Sequence, residues 1–220
     1  PLPGTALDTA RGETSHVQPH RLPGSQGLLC VAVSAGGRPD VVFARGDGTP
    51  GRVLVEGATS PRFARTGHLL FVKETTLFAV PFDPGRGELA GEPASVVEGL
   101  MVGLYGSFRR AHYDLSANGT LVYVAASASG REGRLVLVDR QGKATPAFAP
   151  VGEYLVPRVS PDGDRVAYAA TSPATGRREV WVGDLGRGTR TRVPFEKGSA
   201  TDPVFARDGQ SVLFTGVGED

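Results

Sequence analysis

Short apolar runs recur along this chain, each four to six residues long, and clusters of Gly, Pro, Asp and Asn separate them. Strands either alternate or run apolar over that length, and Val, Leu, Phe and Tyr dominate them, as in strands packed on both faces. No window carries a helical period. One unit repeats: a turn ending in Gly, an apolar strand, a second strand ending near Asp, and a polar turn. Its copies begin at Ser60-Pro61-Arg62-Phe63-Ala64-Arg65-Thr66-Gly67, at Tyr113-Asp114-Leu115-Ser116-Ala117-Asn118-Gly119, at Pro157-Arg158-Val159-Ser160-Pro161-Asp162-Gly163 and at Pro203-Val204-Phe205-Ala206-Arg207-Asp208-Gly209. An apolar residue stands four positions before each glycine: Phe63, Leu115, Val159 and Phe205. A weaker copy runs from Leu22-Pro23-Gly24-Ser25-Gln26-Gly27 into Leu28–Val33 and Val41–Ala44.

The turn glycines Gly67, Gly119, Gly163 and Gly209 are 52, 44 and 46 residues apart. A period near 45 is what four strands of five to six residues and their connections require. Asp-Gly and Asn-Gly supply the positive φ of tight hairpins, and Pro161 presets the first position of its turn. The fold predicted is all-β: a single β-propeller domain of four-stranded antiparallel blades, about four to five of them present. Their approximate bounds are 19–58, 59–110, 111–153, 154–198 and an incomplete 199–220. Residues 88–100, with Pro93 and two glycines, read as a loop and an outer strand.

Composition agrees with a folded β domain and narrows the partner. Hydrophobic residues make up 40% and charged residues 21% of 220, with 31 Gly and 17 Pro, a turn-rich globular balance. The formal charge is +1 without a long single-sign run, which argues against nucleic acid and anionic membranes. No apolar stretch is long enough to span a bilayer. Cys30 is the only cysteine and lies in the apolar run Leu28–Val33, so it reads as a small core residue and excludes an internal disulfide or a Cys-based zinc site. The chain opens on Pro1 without a start Met or signal-peptide pattern, which reads as a piece of a longer protein.

The residues 157–168 (Pro-Arg-Val-Ser-Pro-Asp-Gly-Asp-Arg-Val-Ala-Tyr), continued by Glu179-Val180-Trp181-Val182-Gly183-Asp184-Leu185 and Gly188-Thr189-Arg190, resemble the blade of TolB-like, WD-repeat-related bacterial propellers. That family's blade has a Pro-x-apolar-Ser-Pro-Asp-Gly turn, an apolar strand, then an Asp-Ile-Trp-Val-like strand ending in Asp-Leu and a Gly-Thr turn. Residues 8–24 and 55–100 are similar to the propeller that follows the kinase domain of many bacterial serine/threonine protein kinases, through Leu7-Asp8-Thr9-Ala10-Arg11-Gly12-Glu13, Ser60-Pro61-Arg62-Phe63 and Pro81-Phe82-Asp83-Pro84. The resemblance covers about residues 5–216. It implies a ring of six or seven blades, of which this chain supplies part. It also implies an extracytoplasmic (periplasmic) place when the propeller hangs from a membrane-spanning kinase, and a cytoplasmic one otherwise. The Asp-Gly element departs from the family pattern at Arg65-Thr66-Gly67 and Ala117-Asn118-Gly119.

Catalytic motifs are missing from the sequence. There is no Gly-x-Ser-x-Gly elbow, Gly103-Leu104-Tyr105-Gly106-Ser107 having the wrong spacing. Phosphate-binding loops and His-Glu-x-x-His motifs are absent. His16 and His20 are four apart, but Pro19 argues against the helix on which that spacing would serve a metal. His68 and His112 complete the histidines. The carboxylates Asp139, Asp162, Asp164, Asp184, Asp202 and Asp208 mostly read as turn residues rather than glycosidase pairs. Arg45-Gly46-Asp47-Gly48 reads as a glycine-rich hairpin, Asn118-Gly119-Thr120 as a turn, and Trp181 as packing between blades.

The innermost strand of a propeller blade lines the channel, and here it precedes each turn glycine. The polar residues Arg62, His112, Arg158 and Asp202 in that segment are the candidate channel- or ligand-facing residues, a mixed-charge set suited to peptide ends or acidic side chains. The function expected is non-catalytic recognition of a protein or peptide partner, without cofactor or metal, as the sensor or scaffold region of a bacterial signalling kinase. The alternative is an accessory propeller that gates a serine peptidase of the prolyl oligopeptidase type. A propeller enzyme is the third reading, with the least support. An open ring leaves unpaired edges, so the chain alone is expected to self-associate.

Overall fold

The computed structural model describes residues 6–24, 27–36, 38–45, 47, 49–105, 108–127, 132–139, 141–148 and 152–218. Pro1, Ser25, Gln26, Gly46, Gly48, Gly106 and Ser107, on which parts of the sequence reading fall, lie outside them. Apart from one 3-10 turn, Thr9–Arg11, the regular structure is strand. By contact density the chain divides into two compact units: residues 1–98 with 102–111, and residues 99–101 with 112–220.

The first unit opens with an antiparallel meander of β1 (Glu13–Arg21), β2 (Leu28–Ser34), β3 (Asp40–Ala44) and β4 (Arg52–Val55). Its first strand begins at Glu13, ahead of the blade start expected at residue 19. The next sheet runs β5 (Thr59–Ala64), β6 (His68–Lys73), β7 (Thr76–Asp83), and its fourth strand comes in two pieces. β8 (Glu88–Leu89) pairs the end of β7, and β9 (Ala94–Val97) pairs its beginning. The break falls at Gly91 and Pro93, where proline cannot donate to the ladder. The last element is a hairpin of β10 (Val102–Tyr105) and β11 (Phe108–Ala111).

The second unit holds two complete meanders. One is β12 (Tyr113–Leu115), β13 (Leu121–Ala126), β14 (Gly133–Val138) and β15 (Ala144–Pro146); the other is β16 (Leu155–Val159), β17 (Arg165–Thr171), β18 (Arg178–Asp184) and β19 (Arg190–Arg192). It ends in a two-stranded sheet, β20 (Gly198–Phe205) with β21 (Val212–Gly218). Leu213 on β21 is 63% exposed, whereas Phe71, Tyr123 and Ala167, which stand at the same distance from their turn glycines, are buried.

The ten residues 102–111 explain the longest repeat spacing. Gly99–Met101 lies beside β13, with Met101 N–H donating to Val124 O (2.8 Å) and Ala126 N–H to Gly99 O (2.9 Å). After the β10–β11 hairpin the chain resumes that line, His112 N–H donating to Met101 O (3.0 Å) and Val124 N–H to His112 O (2.9 Å). The hairpin is therefore an insertion within an inner strand, where the sequence had suggested only the tail of the preceding blade.

The repeat turns follow their chemistry. Gly67, Gly119, Gly163 and Gly209 all have positive φ, and each donates its N–H to the carbonyl three residues back, at 2.9–3.2 Å. Asp162 accepts from the Ser160 hydroxyl and from Asp164 N–H, which hold its carboxyl below the usual range. Asp139, Asp184 and Asp208 likewise accept from backbone N–H groups of their own turns.

The apolar runs supply each unit's core. In the first, Leu29, Val41, Leu69, Phe71, Val80 and Phe82 pack together; in the second, Val122, Val124, Leu135, Phe148, Val166 and Tyr168 do. Aromatic rings occupy space that only glycine leaves free: Phe148 lies where a Cβ on Gly183 would be, and Phe43 where one on Gly87 would be. Trp181 is only half-buried, packed on the edge of the second core.

Substituting Gly183→Ala must displace the Phe148 ring and is expected to cost about 1–3 kcal/mol, read as a lower urea midpoint with unchanged m-value. Cys30 is buried in β2, and burial, reinforced by the nearby Glu13 charge, pushes its thiol up to about 12 from an ordinary 9.0. The native thiol is therefore expected to resist iodoacetamide at pH 8 and to react fully in urea. Between pH 9 and 12 the unfolded thiol ionises while the native one stays protonated, so this group's contribution to stability falls as pH rises across that window.

Candidate functional site

The first strand of four of the sheets carries an irregularity, while β12 pairs β13 without one. Pairing slips between Val17 and His20 in β1, Thr59 and Arg62 in β5, Leu155 and Arg158 in β16, and Thr201 and Val204 in β20. In each gap one non-glycine residue takes a left-handed φ: Gln18 (55°), Ser60 (56°), Val156 (50°) and Asp202 (49°). The next residue is proline each time: Pro19, Pro61, Pro157 and Pro203. Proline tolerates a strand interior at bulges, where no ladder donor is needed. Holding a non-glycine residue in the left-handed region costs about 1–3 kcal/mol, and the β-branched Val156 is the least suited to it.

At two of these bulges the backbone N–H leaves its own ladder and is received by a side chain of the preceding sheet at the equivalent position. In the first unit Ser60 N–H donates to Gln18 Oε1 (2.7 Å), and Ala111 N–H donates to Ser60 Oγ (2.9 Å). Gln18 Nε2 also donates to Arg109 O on β11 (2.7 Å), fixing the inserted hairpin beside β1 and β5. In the second unit Val156 N–H donates to His112 Nδ1 (2.9 Å). One position further along the surface, Val159 N–H donates to Asp114 Oδ2 (3.0 Å).

The four candidate residues thus fall into two registers. Counted from the shared apolar residue, His112 and Asp202 occupy the bulge position, three residues before it, while Arg62 and Arg158 stand immediately before it. They do not form one equivalent ring. His112 is 1% exposed, with Nδ1 engaged by the Val156 N–H, so it is an interior joint and not a solvent-facing ligand group. Asp202 is half-buried in its bulge. Arg62 and Arg158 are half-buried and adopt the same fold-back, each guanidinium donating to the carbonyl of the preceding proline at 2.9 Å. His20, Asp114 and the more exposed Val204 share their position in the other inner strands.

Sequence reasoning missed Gln18, Ser60 and Val156. Their signal was the proline inside each inner strand, whose place there is sterically restricted to a bulge or an edge. His16, by contrast, pairs with the buried Glu13 across 3.0 Å on β1, a structural contact. Among the described residues no group of three or more His, Cys, Asp or Glu is placed to hold a metal.

The fold of this chain is also found in known structures. TolB from Acinetobacter baumannii matches with a TM-score of 0.66 at 16% identity, over 90% of this chain and 48% of that one. The fold is that of a TolB-like β-propeller. A puromycin hydrolase matches with a TM-score of 0.62 at 14% identity, over 94% of this chain and 34% of that one. A puromycin-hydrolyzing peptidase from Mycobacterium tuberculosis matches at 0.51 and 16% identity, over 82% and 38%. The chain spans half the length of these TolB-like and peptidase structures or less. No protein-family model matches the sequence, and no curated protein matches it.

Replacing His112 by Ala strands the buried Val156 N–H and opens a cavity, with an expected loss of about 2–4 kcal/mol in urea unfolding. His112→Gln keeps an acceptor within reach and recovers part of that loss. An alanine variant within 0.5 kcal/mol of the parent, roughly the scatter of a neutral surface change, would show that the joint is not needed.

Proposed function

We propose that this TolB-like propeller region is a non-catalytic recognition module that holds a protein or peptide partner against its inner strands. The supporting observation is the repeated inner-strand bulge. Gln18 and Ser60 in the bulges, and His112 at the equivalent position of the regular strand, are engaged in joining neighbouring strands, while the side chains one step before the apolar anchor, Arg62 and Arg158 among them, stay partly exposed. A pre-formed surface loses little entropy when a partner docks. The resemblance to kinase-linked propellers supports a sensor or scaffold role in a signalling protein, outside the cytoplasm where the parent spans a membrane. No helix among the described residues is long and apolar enough to cross a membrane.

A second reading has its own support in the likeness to a puromycin hydrolase, and in it the propeller gates access to a peptidase domain. The two readings differ in retention. A recognition surface binds peptides saturably; a gate lets them pass.

Selection from a random peptide library on the immobilised chain, followed by calorimetry, tests this. Expected is saturable binding without cleavage by mass spectrometry, weakened about tenfold or more by Arg62→Ala or Arg158→Ala. Peptide hydrolysis by the chain would overturn the non-catalytic reading. Absence of any saturable binder would favour the gate.

A further inference from the structure

A cleft of about 760 Å³ in the second unit has no part in the inner-strand arrangement. Tyr154, Tyr168 and Trp181 wall it, and Glu132, Glu153, Glu179 and Arg190 line it. Its size falls within the range of small-ligand sites.

The deepest wall is unusual for a packed core. Tyr168, on β17, is 1% exposed, and its buried hydroxyl makes no well-aligned hydrogen bond, the Arg190 guanidinium being the polar group that acts on it. Leaving such a group without a well-aligned bond costs about 1–3 kcal/mol, and its removal at constant shape would be neutral or stabilising. Burial pushes this phenol up to about 12, so it is a neutral donor and acceptor at ordinary pH. The Tyr154 ring meets the Tyr168 ring edge-on at 5.0 Å, which fixes both.

The aromatic wall already carries a cation. Arg190, exposed on the edge strand β19, lays its guanidinium 6.0 Å from the Trp181 ring centroid and 5.9 Å from that of Phe148. Three carboxylates line the cleft with this arginine, and of them Glu179 is also met by Arg192 at 3.4 Å. Aromatic faces with surplus carboxylates stabilise a cation through quadrupole and charge together.

We propose that this cleft binds the cationic side chain, lysine or arginine, of a partner polypeptide, and that Arg190 is the internal stand-in which that side chain displaces. The incoming cation stacks on Trp181 in place of Arg190, its N–H groups are accepted by Glu153 and Glu179, and the Tyr168 hydroxyl exchanges the poorly aligned Arg190 for a well-aligned partner. The site is independent of the inner strands and stands whether or not they hold a partner.

Trp181 is the only tryptophan, so its fluorescence reports the cleft directly. The probe is Nα-acetyl-arginine methylamide, with the uncharged citrulline analogue as control, titrated into the chain and its variants. Expected is a saturable change with the arginine probe and at least about tenfold weaker binding of citrulline. Arg190→Ala vacates the ring and is expected to tighten binding about fivefold; Glu153→Gln with Glu179→Gln weakens it about tenfold. Tyr168→Phe leaves the melting temperature unchanged or higher and weakens the probe about threefold. Weaker binding in Arg190→Ala, or equal binding of the two probes, would overturn the proposal, because either outcome makes the cleft a site for an anion or a neutral group. No fluorescence change with either probe would overturn it as well.

Discussion

One sheet junction in each unit of this chain depends on the same interaction: a backbone N–H turned sideways at a bulge and accepted by a side chain of the preceding sheet. A meander satisfies its own ladder but leaves nothing to align it with its neighbour beyond apolar contact, which is non-directional. The left-handed residues Ser60 and Val156 supply the direction. Each aims an N–H at Gln18 Oε1 or His112 Nδ1, and the hydrogen bond offsets a backbone conformation that would otherwise be lost. The proline that follows keeps the bulge in place, because it cannot rejoin the ladder.

The same joint explains where the inserted hairpin sits. It leaves the inner strand between Met101 and His112, and Arg109 O and Ala111 N–H take the partners that Gln18 and Ser60 offer. Here the chain closes the gap with the His112 N–H to Met101 O bond, so the strand line survives ten extra residues. The turns at the opposite end of the inner strands have their own contacts within the second unit. The Asn118 amide donates to Asp162 O, and Arg165 donates to Gly209 O (2.6 Å). Inner strands are therefore held at both ends, while outer strands such as β15 and β19 are short and exposed.

That gradient bears on function. Rigid inner strands can present side chains at low entropic cost, while the outer edge carries the charged and aromatic groups that meet solvent. The acidic, aromatic cleft beside Trp181 and the arginine-bearing inner strands differ in charge, so the two proposed sites select different parts of a partner.

The sequence by itself determined the first three strands of each repeat, their order and their turns. Turn chemistry and strand patterning are local, so the spacing of Gly67, Gly119, Gly163 and Gly209 and the aspartates beside them were readable without a structure. The burial of Cys30 was readable for the same reason, since Leu28–Val33 is apolar throughout. Only the tertiary structure decided which residues work together. The register of Arg62 and Arg158 against His112 and Asp202 depends on a bulge, which shifts side chains by one position without changing composition. The interior place of His112 depends on Val156, 44 residues away, turning its N–H toward it. The half-exposed Trp181 and the poorly paired Tyr168 hydroxyl depend on what the loops and edge strands leave open. Contacts between sheets join residues a full repeat apart, and no local pattern encodes which of two polar neighbours will face inward.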